Sequence, residues 1–409
     1  MPYEYRGIEY MRRKLAAKST RVNLRYKYYE MKNVVRDFGI STPPSLRGWC
    51  SALGWCAHAV DDMADRLIFR EFRNDLFGMN EIFQRNNPDV LYDSAILSAL
   101  IASCSFVYIS QDEEGFPRLQ VIDAANATGT IDEITGLLQE GYAVLKRNDS
   151  GKAILEAYFT AETTQYYRDG RLYRTDSHIA GHPLLVPVIH RPDAKRPFGH
   201  SRISRACMDY AGSAVRTIKR SEISAEFYSF PQKWVTGLAQ DVEMTDKWHA
   251  AMSAFMAFTK DEEGEKPQLG QFQQQSMQPH MEQLRIFASL FAGETSLTMD
   301  DLGFPSDNPS SSEAIKAAHE SLRLKAKKAQ RTFGSGFLNV GYLAACLRDN
   351  YPYEREAVYM TKPLWEPIFE PDASCIGLLG DGLIKINQAV PGYVTRENLR
   401  DLTGIEPGA

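Results

Sequence analysis

Asp61, Asp62 and Asp65, in the segment VDDMADRL, have the D-D-x-x-D spacing that sets carboxylates on one helix face, where they could hold magnesium and a diphosphate. That chemistry needs a second acidic motif opposite the first. The other Asp-Asp pair, Asp300-Asp301, is followed by LGFP and falls in a loop, so a solvated or ion-paired helical surface with Arg66 is the stronger reading. Cys50, Cys56 and His58 lie close together but lack a fourth zinc ligand at the usual spacing, and GWCSALGWCAHAV reads as packed helix. His178, His182, His190 and His200 straddle a strand and its flanking loops, which favours structural roles over a catalytic set. There is no G-x-x-x-x-G-K-[ST] loop, G-x-S-x-G elbow, H-E-x-x-H helix or G-x-G-x-x-G turn. The expectation is a protein without catalytic residues, metal or cofactor.

Composition sets further bounds. The chain has 409 residues, 44% hydrophobic and 24% charged, enough for two or three domains' worth of core. Its six cysteines are scattered without a C-x-x-C pair and read as reduced thiols. No stretch approaches the roughly 18–20 apolar residues of a membrane span, and the N-terminus lacks the apolar core of a signal peptide, so the chain is expected to stay where it is made, without a membrane partner. A net charge of -5 argues against firm DNA binding as the default, although residues 1–36 carry ten Lys or Arg against three Glu.

The elements that must position any site alternate in character. A tyrosine-rich helix is expected up to Phe38, broken by GISTPP, and further helices over 46–66, 74–86 and 91–103. Strands follow in SFVYIS, PRLQVID, GYAVLKR, AILEAYFT, TTQYYRDGRLYR and HPLLVPVIH, with Asp169-Gly170 as a hairpin signal. From Gly199 a long helix is expected, ended by Pro231, then a strand at KWVTGL, a helix over 245–259 and a Gln-rich stretch to Met277. Another helix starts near Pro279 and ends at Gly293, before a long acidic loop. Ser310 and Glu313 form a capping-box signature for a helix with Ile315, Ala318, Leu322, Ala326, Ala329 and Phe333 on one face. Gly334 and Gly336 then mark either a kink or a helix end. Short helices over 372–389 and after Thr395, a candidate N-cap, finish the chain.

Five local patterns follow one another along the chain. They are VDDMADRLIFREFR (60–73), HPLLVPVIHRP (182–192), the G-x-S-x-I entry Gly199-His200-Ser201-Arg202-Ile203, and Ala225-Glu226-Phe227-Tyr228 with Phe230-Pro231-Gln232-Lys233 and Gly237, where Lys233 replaces the usual Arg. The last is Leu302-Gly303, Asn308 and Ser311-Ser312-Glu313-Ala314-Ile315, with its Ala-Glu order shortened to Glu-Ala. In this order the five resemble the portal proteins of tailed bacteriophages, specifically the family typical of long-tailed phages.

The resemblance implies an α+β portal fold assembled as a ring, generally of twelve subunits. It implies a wing (1–200 and 334–371), a stem of paired helices (201–228 and 278–293), an α/β clip (229–277), a tunnel loop (294–309), a long helix behind it (310–333) and a small crown (372–409). Such a ring occupies one capsid vertex of the virion after assembly in the host cytoplasm. It meets the major capsid protein, the terminase packaging motor and a head-tail adaptor, and passes double-stranded DNA in both directions without reading its sequence. The residues add a charge argument. Glu294, Asp300, Asp301 and Asp307 make the loop purely acidic, so copies around a channel would repel phosphates and let a duplex slide. Arg205, Arg216, Lys219 and Arg220 on one helix, and Lys316, Arg323, Lys327 and Arg331 on another, would either touch phosphates or, the favoured reading, pair with acidic residues of a neighbouring subunit. The alternatives are a magnesium-dependent enzyme using the aspartate cluster and a DNA-binding scaffold using the basic arm.

Overall fold

The computed structural model describes residues 3–34, 48, 51–229, 233–236, 268–271, 276–305, 312–369 and 373–403. Two compact units emerge, one of 1–33, 54–208 and 293–409, the other of 34–53 and 209–292. In chain order the elements are α1 (Ile8–Tyr29), α2 (Trp55–Ala64), β1 (Phe69–Arg73), α3 (Met79–Gln84), α4 (Pro88–Ala102), β2 (Cys104–Gln111), β3 (Pro117–Asp123), β4 (Ala127–Ile131), β5 (Leu138–Arg147), β6 (Ala153–Phe159), β7 (Thr163–Arg168), β8 (Arg171–Ser177) and β9 (Leu185–Ile189). Then follow α5 (Arg205–Ser229), β10 (Lys233–Thr236), β11 (Gln268–Gln271), α6 (Gln278–Thr295), α7 (Ser312–Ala318), α8 (Glu320–Arg348), β12 (Lys362–Trp365), α9 (Ala373–Ala389) and α10 (Arg396–Thr403).

The described strand pairs are all antiparallel, in a mixed architecture of helices and strands. Strands β4 to β8 form a meander whose last hairpin turns at Asp169 (φ 49°) and Gly170 (φ 80°), the left-handed pair an Asp-Gly turn supplies. A three-stranded sheet, in the order β3-β2-β9, has α4 and α8 packed against it. Strand β1 pairs with β12, and buried Phe69 and Phe72 from β1 pack with Phe83, Tyr92, Phe337 and the half-buried Trp365 in an aromatic cluster, with Phe69 and Tyr92 centroids 4.3 Å apart.

Helix α1 is mostly polar, and buries only Met11, Leu15 and Val22. Met11 and Leu15 pack on Tyr142, Val144 and Tyr158 of the meander. Two buried carboxylates complete the dock. Glu140 accepts hydrogen bonds from Tyr3 Oη (2.6 Å), Tyr158 Oη (2.8 Å) and the backbone N–H groups of Arg6 (3.1 Å) and Gly7 (3.4 Å). Glu156 takes Arg12 Nε and Nη2 at 3.1 and 2.5 Å, and the Tyr142 hydroxyl. Each buried acceptor thus has several donors, as burial of a carboxylate demands.

Several boundaries differ from the sequence reading. Helix α1 ends at Tyr29, short of Phe38, with Met31 at φ 58°. Residues 51–53 are not helical and α2 starts only at Trp55. The helix expected over 74–86 shrinks to α3 because Asn74 and Gly78 adopt positive φ. Ser310 and residues 245–259 lie outside the described residues. The expected helix from 310 to 333 is instead interrupted at His319, and α8 runs unbroken through Gly334 and Gly336. Those glycines serve close approach. A Cβ on Gly334 would stand 2.6 Å from Pro363 Cγ, and one on Gly336 would stand 3.3 Å from Val188 Cα. Thr395 does cap α10, its Oγ1 accepting from Asn398 N at 3.3 Å.

In the second unit, residues of α5 and α6 are joined side by side by Thr217 Oγ1 donating to Gln283 Oε1 (3.1 Å) and by Ser224 Oγ with His280 Nε2 (3.2 Å). At 25 residues α5 is about 37 Å long.

Gly334→Ala should cost about 1–3 kcal/mol, because the ring of Pro363 cannot swing aside as a flexible side chain would. Urea denaturation of the variant against the parent measures it.

Candidate functional site

The entry to α5 is built by Gly199-His200-Ser201-Arg202-Ile203. Gly199 has φ 73°, and a Cβ there would lie 2.1 Å from the His190 carbonyl oxygen, so no other residue fits. Ser201 Oγ donates to Ile101 O (2.6 Å) and accepts from Ile203 N (2.9 Å), while Ile203 is buried. Arg202 is buried as well. Its N–H donates to Leu100 O (2.8 Å), its Nε to Ala59 O (2.7 Å) and its Nη2 to Thr295 O (2.7 Å). Desolvation lowers its pKa to about 10, since these partners are carbonyls and not a carboxylate in contact. The sequence reading gives Arg202 only a place in the G-x-S-x-I entry and no role of its own. The missed signal was its position between a left-handed glycine and an apolar anchor.

Thr295 ends α6 and begins the acidic loop. Leu297 and Leu302 are buried anchors, and Gly303 takes φ 86°, which accounts for the Leu-Gly pattern. Thr298 N donates to Asp301 Oδ2 (2.7 Å) while Asp301 N donates to Thr298 Oγ1 (3.2 Å), a reciprocal turn closed by Gly303 N on Asp300 O (3.1 Å). Within the acidic loop expected there, residues 298–304 are therefore closed into a hydrogen-bonded turn. Asp301 Oδ2 also stands 3.9 Å from His319 Nδ1, and its side chain is only 20% exposed. Glu294 and Asp300 are exposed, and the Glu294 carbonyl receives Lys325 Nζ at 3.4 Å. Asp307 lies outside the described residues.

The basic residues are not equivalent. Arg205 is exposed at the start of α5. Farther along that helix Arg216 Nη2 donates to Ser213 Oγ (2.8 Å), Lys219 is buried and Arg220 is half-buried. Lys316 on α7 is half-buried. Arg323 forks onto Glu320 at 2.7 and 2.8 Å, whereas Lys327 and Arg331 are exposed.

The aspartate cluster is engaged within the chain. Asp61 accepts from Tyr29 Oη (2.8 Å) and Asp62 pairs with Arg66 (2.9 Å). Burial, then Asp61 and Asp62, raise the Asp65 pKa. Among the described residues no group of three or more His, Cys, Asp or Glu could hold a metal ion. Burial likewise raises the Cys56 thiol, and Cys50 lies outside the described residues. Of the four histidines, His190 is buried with Nδ1 2.6 Å from His200 O, and burial keeps it neutral, with a pKa lowered to about 3.

Arg202→Met should cost about 2–4 kcal/mol in urea denaturation, because two buried carbonyls lose a charged donor. Arg202→Lys, a point charge that cannot span both carbonyls, should recover less than half of that loss.

A family model described as "Phage portal protein, SPP1 Gp6-like" matches residues 9–367. Proteins named portal protein from Mycobacterium phages D29 and L5 are each 22% identical over 396 residues, covering 91% of this chain and 80% of theirs. Among solved structures, a chain of the virion of a native gene transfer agent particle has a TM-score of 0.49 at 13% identity, covering 95% of this chain and 100% of that one. A chain from the neck of the native particle, computed with C12 symmetry, has 0.47 at 14% identity, covering 87% and 90%. With the family model spanning most of its length, the chain belongs to the phage portal proteins of the SPP1 Gp6-like family.

Proposed function

We propose that this chain is the ring subunit through which double-stranded DNA enters and leaves a phage head at one vertex. The family match over residues 9–367 carries the reading. In it, twelve copies close a ring. Residues 1–200 and 334–371 form the wing, 201–228 and 278–293 the stem, 229–277 the clip and 372–409 the crown. Residues 294–309 face the channel, backed by 310–333. The ring receives the terminase motor and a head-tail adaptor and is held by the major capsid protein, in the virion and, during assembly, in the host cytoplasm. We assign the chain no catalysis, a view supported by the engagement of Asp61 and Asp62 with Tyr29 and Arg66.

Within the loop the charges divide. The exposed Glu294 and Asp300 are suited to repelling phosphate, whereas the Asp301 carboxylate holds the turn. The side-by-side bonding of residues in α5 and α6 supports their pairing as stem helices. Buried Lys219 and ion-paired Arg323 favour structural roles over DNA contact, which leaves Arg205, Lys327 and Arg331 as the exposed cations for a neighbouring subunit.

Negative-stain microscopy of the purified chain should show rings with a central hole, and a homogeneous monomer, with or without capsid protein, would overturn the reading. Glu294→Lys with Asp300→Lys should cut phage titre by about tenfold or more and shorten the packaged genome, by turning repulsion into phosphate attraction. Asp301→Asn should affect thermal stability more than titre.

A further inference from the structure

A cavity of about 500 Å³ lies between α1, the start of β2, β4 and the loop after β9. Six cations line it, Lys14, Lys18, Arg21, Arg25, Lys195 and Arg196, against one carboxylate, Glu133. Phe106 and Phe198 add apolar wall. Such a concentration of one sign is unexpected in a chain of net charge -5.

Arg25 is the telling member. Its Nη1 donates to Ala102 O (3.1 Å), but its Nε is sealed from solvent without a hydrogen-bond partner, and among the described residues no carboxylate pairs with it. Burial, and then Arg21 and Arg196, push its pKa down. Lys14 is held on Gly129 O at 2.6 Å and stands 5.7 Å from the Phe198 ring centre, and burial, followed by Arg6 and Lys18, lowers its pKa too. The nearby Asp193 does not relieve this crowding. Its carboxylate accepts from Lys195 N (2.8 Å), Arg196 N (2.7 Å) and His200 Nε2 (2.5 Å), which shapes the loop and leaves the Lys195 and Arg196 side chains on the cavity wall. A partly buried guanidinium beside like charges is costly, and an anion in the cavity would relieve that cost.

We propose that this cavity is an oxyanion site that takes a phosphate group, supplied either as free phosphate or as the phosphodiester of a single nucleic-acid strand. The excess of five cations over carboxylates in the wall suits a ligand with more than one negative charge, and arginine forks match phosphate oxygens in pairs. A duplex is too wide to enter. The site does not depend on the channel reading, since it involves none of the loop or stem residues assigned there.

The test is calorimetric titration of the full chain at constant ionic strength, with chloride as reference. The probes are pyrophosphate, a 5′-phosphorylated thymidine dinucleotide and a hexaglutamate peptide. At least one phosphate probe should bind. Lys18→Gln with Arg21→Gln, both exposed positions, should weaken that binding by about tenfold or more while leaving thermal unfolding in chloride unchanged. Arg25→Gln is the second variant, and should abolish the phosphate-dependent rise in unfolding temperature. Pyrophosphate binding alone assigns free phosphate, dinucleotide binding alone assigns a strand, and binding of both assigns the shared group. No binding of either, equal binding by the double variant, or tighter binding of hexaglutamate would overturn the proposal, the last by making the cavity a dock for an acidic protein segment.

Discussion

The guanidinium of Arg202 holds together segments that are otherwise far apart in sequence. It reaches Ala59 in α2 and Thr295 at the end of α6, while its own N–H is fixed on Leu100 in α4. None of these partners is a side chain. Carbonyl oxygens are present whatever the residue, so the constraint falls on Arg202 and on the backbone path that delivers it. Gly199 and Ser201 fix that path, the first by tolerating a conformation and a closeness that no side chain allows, the second by holding Ile101 and Ile203. Entry into the long helix, the start of the acidic loop and the aspartate-bearing helix are therefore positioned by one charged group.

How much of this was legible in the sequence depended on whether the deciding contact was local. Strand β3 was readable to the residue, and the Asp169-Gly170 turn from two letters, because alternation and turn chemistry are neighbour properties. Thr395 could be read as a cap for the same reason. Strand β1 was passed over, since FREFR is short and its partner is β12, nearly 300 residues later, where Phe69 meets Trp365. The glycines of α8 suggest a kink or a helix end, yet what they answer to is Pro363 and Val188, which nothing in the helix sequence announces. The turn at Thr298 and Asp301 is local too, but the run of acidic residues around it is read first as charge, which obscures the spacing that lets two residues cap each other. Of the candidate site, residue types were visible and their division of labour was not. Burial separates Asp301 from Asp300 and Lys219 from Arg205, and burial is decided by the whole fold.

The docking of α1 shows another side of the same dependence on distant sequence. A helix with three buried residues in twenty-two has little to hold it in isolation. Near its C-terminal end Asp61 and Ala102 take Tyr29 and Arg25, but at its start Glu140 fixes the backbone of Arg6 and Gly7 and Glu156 takes Arg12, both carboxylates more than 130 residues downstream. The order of synthesis follows from that. During translation the start of the first helix emerges with its surplus of cations and lacks both carboxylates until the strands bearing them have left the ribosome. The beginning of the chain is thus among the later parts to be fastened, and in a cell rich in polyanions it spends that interval uncovered.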